Sequence, residues 1–177
     1  MGSKKKHYVH LYYGVGKGKT TAALGLSLRA VGQGQKVVMI QWLKGRSDIG
    51  EIKAKTLLPG RFKIYQFGPP HFTWDPPGPA EHERLAKKGL EFLEKVVKNR
   101  RYDVLVLDEI IDAVTMGFIP RSKVISLIRR AAKKGEVVLT GHQAPKEFLD
   151  LADLVTEMRK VKHYFDRGQL ARPGVEY

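Results

Sequence analysis

The sequence predicts an α/β protein with a doubly wound, mostly parallel β-sheet flanked by helices. Residues 8–12 are rich in strand formers and run into glycines, after which residues 20–31 carry alanine and leucine at helical spacing. Residues 37–40 are four consecutive apolar residues, which suits a strand buried on both faces of a parallel sheet. This order of strand, loop, helix and strand is a βαβ unit, and the alternation continues along the chain.

Similar patterns predict the remaining elements. A helix begins near Pro79, at the end of a segment whose five prolines (residues 69–79) exclude a regular helix or a central strand. The other predicted elements are strands over residues 62–67, 102–109, 137–140 and 154–158, a helix over residues 120–134, and an irregular or hairpin-like tail over residues 161–177.

The composition favours one folded domain over residues 1–177. Hydrophobic residues make up 42% and charged residues 28%, which excludes the disordered and fibrous classes. The chain has no cysteine, so disulfides and thiolate metal sites are excluded and a reducing compartment, the cytoplasm, is expected. No apolar run approaches the roughly 20 residues of a membrane helix, and we expect neither membrane insertion nor export.

The net charge of +14 fits an anionic small molecule, an acidic protein partner or nucleic acid. Most of the basic residues are scattered through predicted helices and are not interleaved with aromatic residues. This pattern favours solvated helix faces over a nucleic-acid surface.

A glycine-rich segment, residues 14–21, lies between the first predicted strand and the helix. At such a turn, backbone N–H groups and the helix dipole can surround the phosphates of a nucleotide. The glycines permit the turn, the Lys19 ammonium can neutralise phosphate oxygens, and the Thr20 hydroxyl can bind Mg²⁺. The usual motif has its first glycine where Tyr13 stands, so this loop is one residue short. The segment predicts nucleotide binding, and the glycine spacing disfavours a dinucleotide fold.

Asp108 and Glu109 end a strand that is apolar over residues 104–107. A strand-terminal acid pair alone is more often a turn or a helix cap. Beside a phosphate loop, however, a carboxylate across neighbouring strand ends can hold Mg²⁺ directly or through water. We therefore predict that Asp108 and Glu109 complete the site.

Phe72 and Trp74 lie within the proline-rich segment. Aromatic residues on loops often contact ligands, but they can equally form a small hydrophobic patch, and the pattern favours neither. The six histidines show no metal-ligand spacing, and none is assigned to catalysis.

Taken together, these residues resemble the P-loop ATP:corrinoid adenosyltransferases, also called cob(I)alamin adenosyltransferases, over nearly the whole chain. The one-residue-short loop is the form that this family has. The segments that carry the resemblance are residues 16–23, 29–32, 72–74, 104–109, 152–154, 161–163 and 174–177.

The resemblance implies a RecA-like P-loop fold and transfer of the 5′-deoxyadenosyl group of ATP to cobalt(I) of a corrinoid such as cobalamin or cobinamide, with release of triphosphate. It implies Lys19 and Glu109 as catalytic residues, and Thr20, Glu109 and Asp108 as the Mg²⁺ site. The implied contacts to ATP and the corrinoid are Gly14, Val15, Gly16, Lys17, Gly18, Lys19, Thr20, Thr21, Arg29, Phe72 and Trp74.

Further expectations follow from the resemblance. The two aromatic residues would lie under the corrin and displace its lower axial ligand. The protein would be a homodimer, and its basic surface would dock an acidic flavoprotein that supplies electrons. The alternative is a RecA-like ATPase acting on nucleic acid, which the positive charge and the same phosphate site support but which lacks a recognised helicase-type motif.

Overall fold

Parallel strands form one sheet at the centre of the molecule. The computed structural model describes residues 6–58, 60–70 and 78–177. The strands are β1 (Val9–Tyr13), β2 (Val37–Trp42), β3 (Phe62–Phe67), β4 (Val104–Asp108), β5 (Glu136–Gly141) and β6 (Leu154–Glu157). The helices are α1 (Lys19–Gly32), α2 (Gly50–Ala54), α3 (Pro79–Asn99), α4 (Ile110–Thr115), α5 (Arg121–Ala132) and α6 (Lys146–Leu151).

The strand order is β3-β2-β4-β5-β1-β6, and each neighbouring pair is parallel. The chain crosses from β1 to β2 and β3 at one edge, returns through β4 and β5, and reaches β6 at the other edge. The predicted α/β fold with a parallel sheet is therefore confirmed, and helices cover both faces.

Helix α1 covers one face of the sheet. Its buried Ala23 and Ala30 belong to the same apolar cluster as Met39 of β2 and Val106 of β4. Small side chains on this helix allow it to lie close to the strands, and its first three residues are the last three of the glycine-rich segment. The packing of α1 thus fixes where the loop stands relative to the sheet.

Helices α3, α4 and α5 cover the opposite face. In α3 the buried Ala86, Leu90, Leu93 and Val97 recur every three or four residues, so they form one apolar stripe against the sheet. The other side of this 21-residue helix is charged. No helix within the described ranges is long and apolar enough to cross a membrane.

Three short helices were not predicted. Helices α2, α4 and α6 have five or six residues each, which is too short for a 3.6-residue period to be visible in the sequence. Helix α4 is nearly all buried, so its composition resembles a continuation of the preceding strand.

The C-terminal tail (residues 161–177) is irregular, which is one of the two forms that the sequence predicted. Its one regular piece is a 3₁₀ turn over Tyr164–Arg167, which ends at Gly168 with a positive φ of 83°. No strand occurs within this tail, so the hairpin-like alternative is not found.

The carboxyl ends of four central strands meet at one edge of the sheet. Gln41 of β2 lies opposite Asp108 of β4, and Tyr13 of β1 lies opposite Gly141 of β5. Strand β5 lies between β1 and β4, so the acid pair and the glycine-rich loop follow strands that are separated by one strand. Asp108 nevertheless contacts the glycine-rich segment, because its carboxylate accepts a hydrogen bond from Thr20.

Candidate functional site

The glycine-rich loop (residues 14–21) is held against the segment that follows β6. Gly16 N donates a 2.7 Å hydrogen bond to Met158 O. A Cβ added at Gly14 or Gly16 would lie 2.5 or 2.6 Å from that oxygen, and Gly14 also has a φ of +112°. Glycine is therefore required here for close approach of two backbones as well as for the turn.

The side chain of Lys19 folds back over this loop. Its ammonium donates to Gly14 O at 2.7 Å and to Gly16 O at 2.9 Å. Burial lowers the pKa of Lys19, although Asp112, Glu109 and Asp108 oppose that shift. An anion bound at the start of α1 would favour the charged form of the Lys19 ammonium. The dipole of α1 would in turn favour binding of that anion.

Asp108 accepts hydrogen bonds from four side chains. Its Oδ1 accepts from Thr20 at 2.9 Å and from Thr140 at 2.7 Å, while its Oδ2 accepts from Gln41 at 3.2 Å and from Lys44 at 2.7 Å. The side chain is fully buried. The end of β4 is thereby tied to α1, β2 and β5.

Lys44 lies among these oxygen atoms. Its ammonium is 2.7 Å from Asp108 Oδ2, 3.3 Å from Glu109 Oε1 and 3.1 Å from Thr20 Oγ1. Burial opposes ionisation of Lys44, but the two carboxylates outweigh it and hold its pKa well above the ordinary value. Burial likewise opposes ionisation of Asp108, whose pKa the Lys44 ammonium and the two threonine hydroxyls bring below its usual value.

Glu109 has an uncommon backbone conformation. Its φ of 58° is left-handed, and its N–H donates to Thr140 Oγ1 at 2.8 Å. Burial raises the pKa of Glu109, Lys44 opposes the shift, and the neighbouring Asp108 and Asp112 add to it. The left-handed turn directs the Glu109 carboxylate toward Lys44, so the acid pair converges on one point instead of facing opposite sides of the sheet.

Asp112 and His142 form a second pair beside the loop. Asp112 accepts from His142 N at 2.9 Å and lies 3.2 Å from the His142 ring Nδ1. The hydrogen bond of the His142 ring with the Asp112 carboxylate raises the pKa of His142. Because His142 O also accepts from Gly14 N, this pair supports the glycine-rich loop.

An open cleft of about 490 Å³ adjoins the start of α1 and Lys44. Thr20, Thr21 and Lys44 line one side, and the C-terminal tail forms the other. Lys17 Nζ donates to Val175 O at 2.7 Å, and the Arg46 guanidinium lies 4.5 Å from the centre of the Tyr177 ring. The cleft is large enough for a small ligand whose charged end would meet the loop.

The structure brings Lys19, Thr20, Asp108 and Glu109 to one place, as their predicted roles require. Thr21 lines the cleft. Of the remaining predicted residues, Val15 is exposed, and Lys17 contacts the tail.

Other predicted contacts lie elsewhere. Arg29 is in the last turn of α1, about 15 Å along the helix from Lys19, so it is not part of this cluster and its contact with a nucleotide stays a prediction. Phe72 and Trp74 lie outside the described residues. Gly14 N and Gly16 N donate to protein carbonyls. The first turn of α1, whose N–H groups have no acceptor within the helix, provides the donors that an anion would meet.

Several residues of the site were not identified from the sequence. Gln41 lies on β2 and Lys44 comes after that strand, while Thr140 lies on β5. Both strands are neighbours of β4, and the three residues lie at their carboxyl ends. Polar residues at such strand ends are a usable signal, since ligands of parallel sheets bind there. His142 and its partner Asp112 carry no comparable signal.

The oxygen cluster (the Thr20 hydroxyl and the Asp108 and Glu109 carboxylates) fits Mg²⁺ chemically. All three groups already surround one cation, the Lys44 ammonium. Mg²⁺ binds oxygen ligands and is usually held by one or two carboxylates together with phosphates. Among the described residues no group of three or more acidic, histidine or cysteine side chains is placed to hold a metal alone. A bound Mg²⁺ would therefore also need oxygen atoms from a bound phosphate.

Comparison with known proteins identifies the family. Residues 5–177 match the family model described as ATP:corrinoid adenosyltransferase BtuR/CobO/CobP. The chain is 33% identical to the corrinoid adenosyltransferase of Escherichia coli (strain K12), over 94% of this chain and 84% of that protein. It is 33% identical to the corrinoid adenosyltransferase CobA of Salmonella typhimurium, over 100% and 89%, and 32% identical to that of a Sinorhizobium species, over 93% and 77%. The chain therefore belongs to the ATP:corrinoid adenosyltransferase family.

Proposed function

We propose that this chain transfers the 5′-deoxyadenosyl group of ATP to the cobalt of a reduced corrinoid and releases inorganic triphosphate. The observation that carries the proposal is that Thr20, which lines the cleft, donates to Asp108 and shares the Lys44 ammonium with Glu109. Lys19 precedes Thr20 and folds back over the glycine-rich loop. Family membership supplies the substrate class. The whole chain would act as one domain.

The reaction is a nucleophilic substitution at carbon. The electron pair of cobalt(I) forms the cobalt–carbon bond to C5′ of ATP, the C5′–O bond breaks, and the triphosphate leaves with the bonding pair. The nucleophile belongs to the corrinoid, so the protein's contribution is to position the two substrates and to neutralise the leaving group.

Lys19 would bind the triphosphate through its ammonium, which would exchange the loop carbonyls of Gly14 and Gly16 for phosphate oxygens. The first turn of α1 would add backbone N–H donors and the positive end of the helix dipole. In this role the glycine-rich segment is a P-loop. Both features stabilise the charge that develops on the leaving triphosphate.

Thr20 and Glu109 would hold Mg²⁺, with Asp108 accepting from Thr20 and orienting its hydroxyl. When bound, the ion adds positive charge beside the triphosphate. Buried hydrogen bonds keep Asp108 ionised and in place, which fixes the geometry of the Thr20 ligand before the substrate arrives.

Phe72 and Trp74 are proposed to contact the corrinoid, on the strength of the family resemblance alone. Apolar walls would exclude water and a coordinating ligand from the cobalt. We expect Phe72→Ala to slow transfer with an enzymatic reductant more than with chemically prepared cobalt(I). An equal effect on both would count against this role.

We also propose a homodimer and an acidic flavoprotein reductant. Strand β6 is the exposed edge of the sheet, and its Leu154 and Val155 are 42% and 43% exposed, which suits pairing with a second copy. Sedimentation equilibrium would find a dimer, and Val155→Lys would shift it toward monomer. Electron transfer from the flavoprotein would slow with added salt, because the docking surface is basic.

An anaerobic assay tests the proposed reaction. The enzyme is mixed with ATP, Mg²⁺ and chemically reduced cobalamin, and the alkylated corrinoid is followed by its spectrum while phosphate species are separated by chromatography. We expect adenosylcobalamin and intact triphosphate, both lost in Lys19→Ala. Orthophosphate release that rises with added nucleic acid, without alkylated corrinoid, would instead identify a nucleic-acid-dependent ATPase.

A further inference from the structure

The Lys44 ammonium occupies the centre of the oxygen cluster. It is within 3.3 Å of oxygen atoms from both carboxylates and from the Thr20 hydroxyl. Two of these groups, Thr20 and Glu109, are the proposed Mg²⁺ ligands. Gln41, which also donates to Asp108, lies on β2, the strand that precedes Lys44. The cluster is therefore satisfied by a cation that belongs to the protein.

The backbone around Lys44 is closely constrained. Leu43 has a left-handed φ of 59°, which is uncommon for a branched residue. A Cβ added at Gly45 would lie 2.0 Å from Gly68 O, and one added at Gly68 would lie 2.3 Å from Lys44 N. Two loops thus pack backbone to backbone at Lys44, and its position beside the carboxylates follows from that packing.

A divalent cation and the ammonium cannot share these oxygen atoms. Mg²⁺ bound by Thr20 and Glu109 would lie within a few ångströms of the Lys44 ammonium, where two like charges repel strongly in a partly buried site. The triphosphate would offer Lys44 another position, since Lys44 lines the same cleft as Thr20 and Thr21.

We propose that Lys44 is the resident cation of the oxygen cluster in the absence of nucleotide, and that its ammonium moves from Asp108 and Glu109 to the triphosphate when Mg²⁺ enters with ATP. This inference rests on the proposed Mg²⁺ site. It makes metal binding conditional on the nucleotide, because the nucleotide supplies both further oxygen ligands and a new partner for Lys44. It also adds a second lysine to the neutralisation of the leaving group.

Binding of Mn²⁺, measured by the loss of its free electron paramagnetic resonance signal, tests the idea without catalysis. In wild-type protein we expect weak Mn²⁺ binding alone and tight binding with a non-reacting ATP analogue, counted as the loss beyond that of a protein-free blank with the same analogue. Lys44→Met should bind Mn²⁺ alone more tightly than wild type by about tenfold or more, since the competing charge is gone. Lys44→Arg, which keeps the charge, should remain close to wild type.

Lys146→Met is the matched control, because Lys146 pairs with Asp150 on the surface, away from the cluster. Its Mn²⁺ affinity should stay within about twofold of wild type. Equal affinity of Lys44→Met and wild type for Mn²⁺ alone would overturn the role of Lys44 while leaving the metal site intact. Failure of wild type to bind Mn²⁺ even with the analogue would remove the metal site and the inference together.

Nuclear magnetic resonance of the lysine ammonium groups provides a readout in wild-type protein, whether or not Lys44→Met folds. The Lys44 signal is assigned by its absence from Lys44→Arg. We expect it to shift on addition of Mg²⁺ with the ATP analogue and not with Mg²⁺ alone. An unchanged signal at saturation would contradict the movement.

Discussion

The Thr20 hydroxyl donates a 2.9 Å hydrogen bond to Asp108 Oδ1 and so joins the start of α1 to the end of β4, although β5 separates β4 from the loop strand β1. Thr140 bridges this separation, since it lies on β5 and donates to the same oxygen atom. The phosphate-binding and acidic parts of the site are thus one connected network. Changes to Thr20, Asp108 or Thr140 should affect both stability and ligand binding.

Asp108→Asn should lower the free energy of unfolding by about 3 kcal/mol, because it leaves the buried Lys44 ammonium without its nearest counter-charge. Urea denaturation at neutral pH measures the change. Asp150→Asn, at an exposed pair with Lys146, should change stability by less than about 0.5 kcal/mol. Equal, small effects of both substitutions would show that the buried network contributes little.

Gly16→Ala should destabilise the protein by about 2 kcal/mol and weaken ATP binding, because its Cβ would lie 2.6 Å from Met158 O. Gly25→Ala makes the same chemical change at an exposed position in the middle of α1, where an added Cβ would meet no atom within 4 Å. It should stabilise the protein by about 0.5–1 kcal/mol through helix propensity. Thermal denaturation and ATP titration of the pair measure both effects, and a Gly16→Ala protein as stable as wild type would contradict the close contact.

Lys19→Ala should reduce the rate of adenosyl transfer by about 10²-fold or more, as expected when a positioned charge at the leaving group is lost. Its stability should change little, since the ammonium bonds only to carbonyls of a partly exposed loop. Lys133→Ala removes the same charge just before the amino end of β5 and should transfer at the wild-type rate. A similar loss in both variants would mean that net charge, and not the position of Lys19, matters.

The His142–Asp112 pair should make stability depend on pH. Because its hydrogen bond with Asp112 raises the pKa of folded His142 above 6.5, the pair's contribution is fully present below pH 6.5 and is lost as pH rises through the higher folded value. The His142 side chain is 59% exposed, so the contribution is about 0.5 kcal/mol. The difference in unfolding free energy between wild type and His142→Gln should shrink from pH 6 to pH 9, and a constant difference would exclude the effect.

The sequence predicted all six strands to within about two residues, because buried parallel strands are short apolar runs separated by helices with a visible period. It also predicted the main contents of the site, since Lys19, Thr20 and the acid pair follow strand ends. It did not predict Lys44, because its role depends on β2 lying beside β4 with Gln41 opposite Asp108. Nor did it predict that the tail borders the cleft, since the contact of Lys17 with Val175 joins residues 158 positions apart.

Transfer of the 5′-deoxyadenosyl group to cobalt is tested most directly by following the carbon atom that is transferred. ATP labelled with ¹³C at C5′ is incubated anaerobically with the enzyme, Mg²⁺ and cobalt(I) cobalamin, and the products are analysed by ¹³C and ³¹P nuclear magnetic resonance. We expect the label to become bonded to cobalt while the three phosphates remain linked as triphosphate. Label that stays in adenosine phosphates, with the γ-phosphate released as orthophosphate, would contradict it.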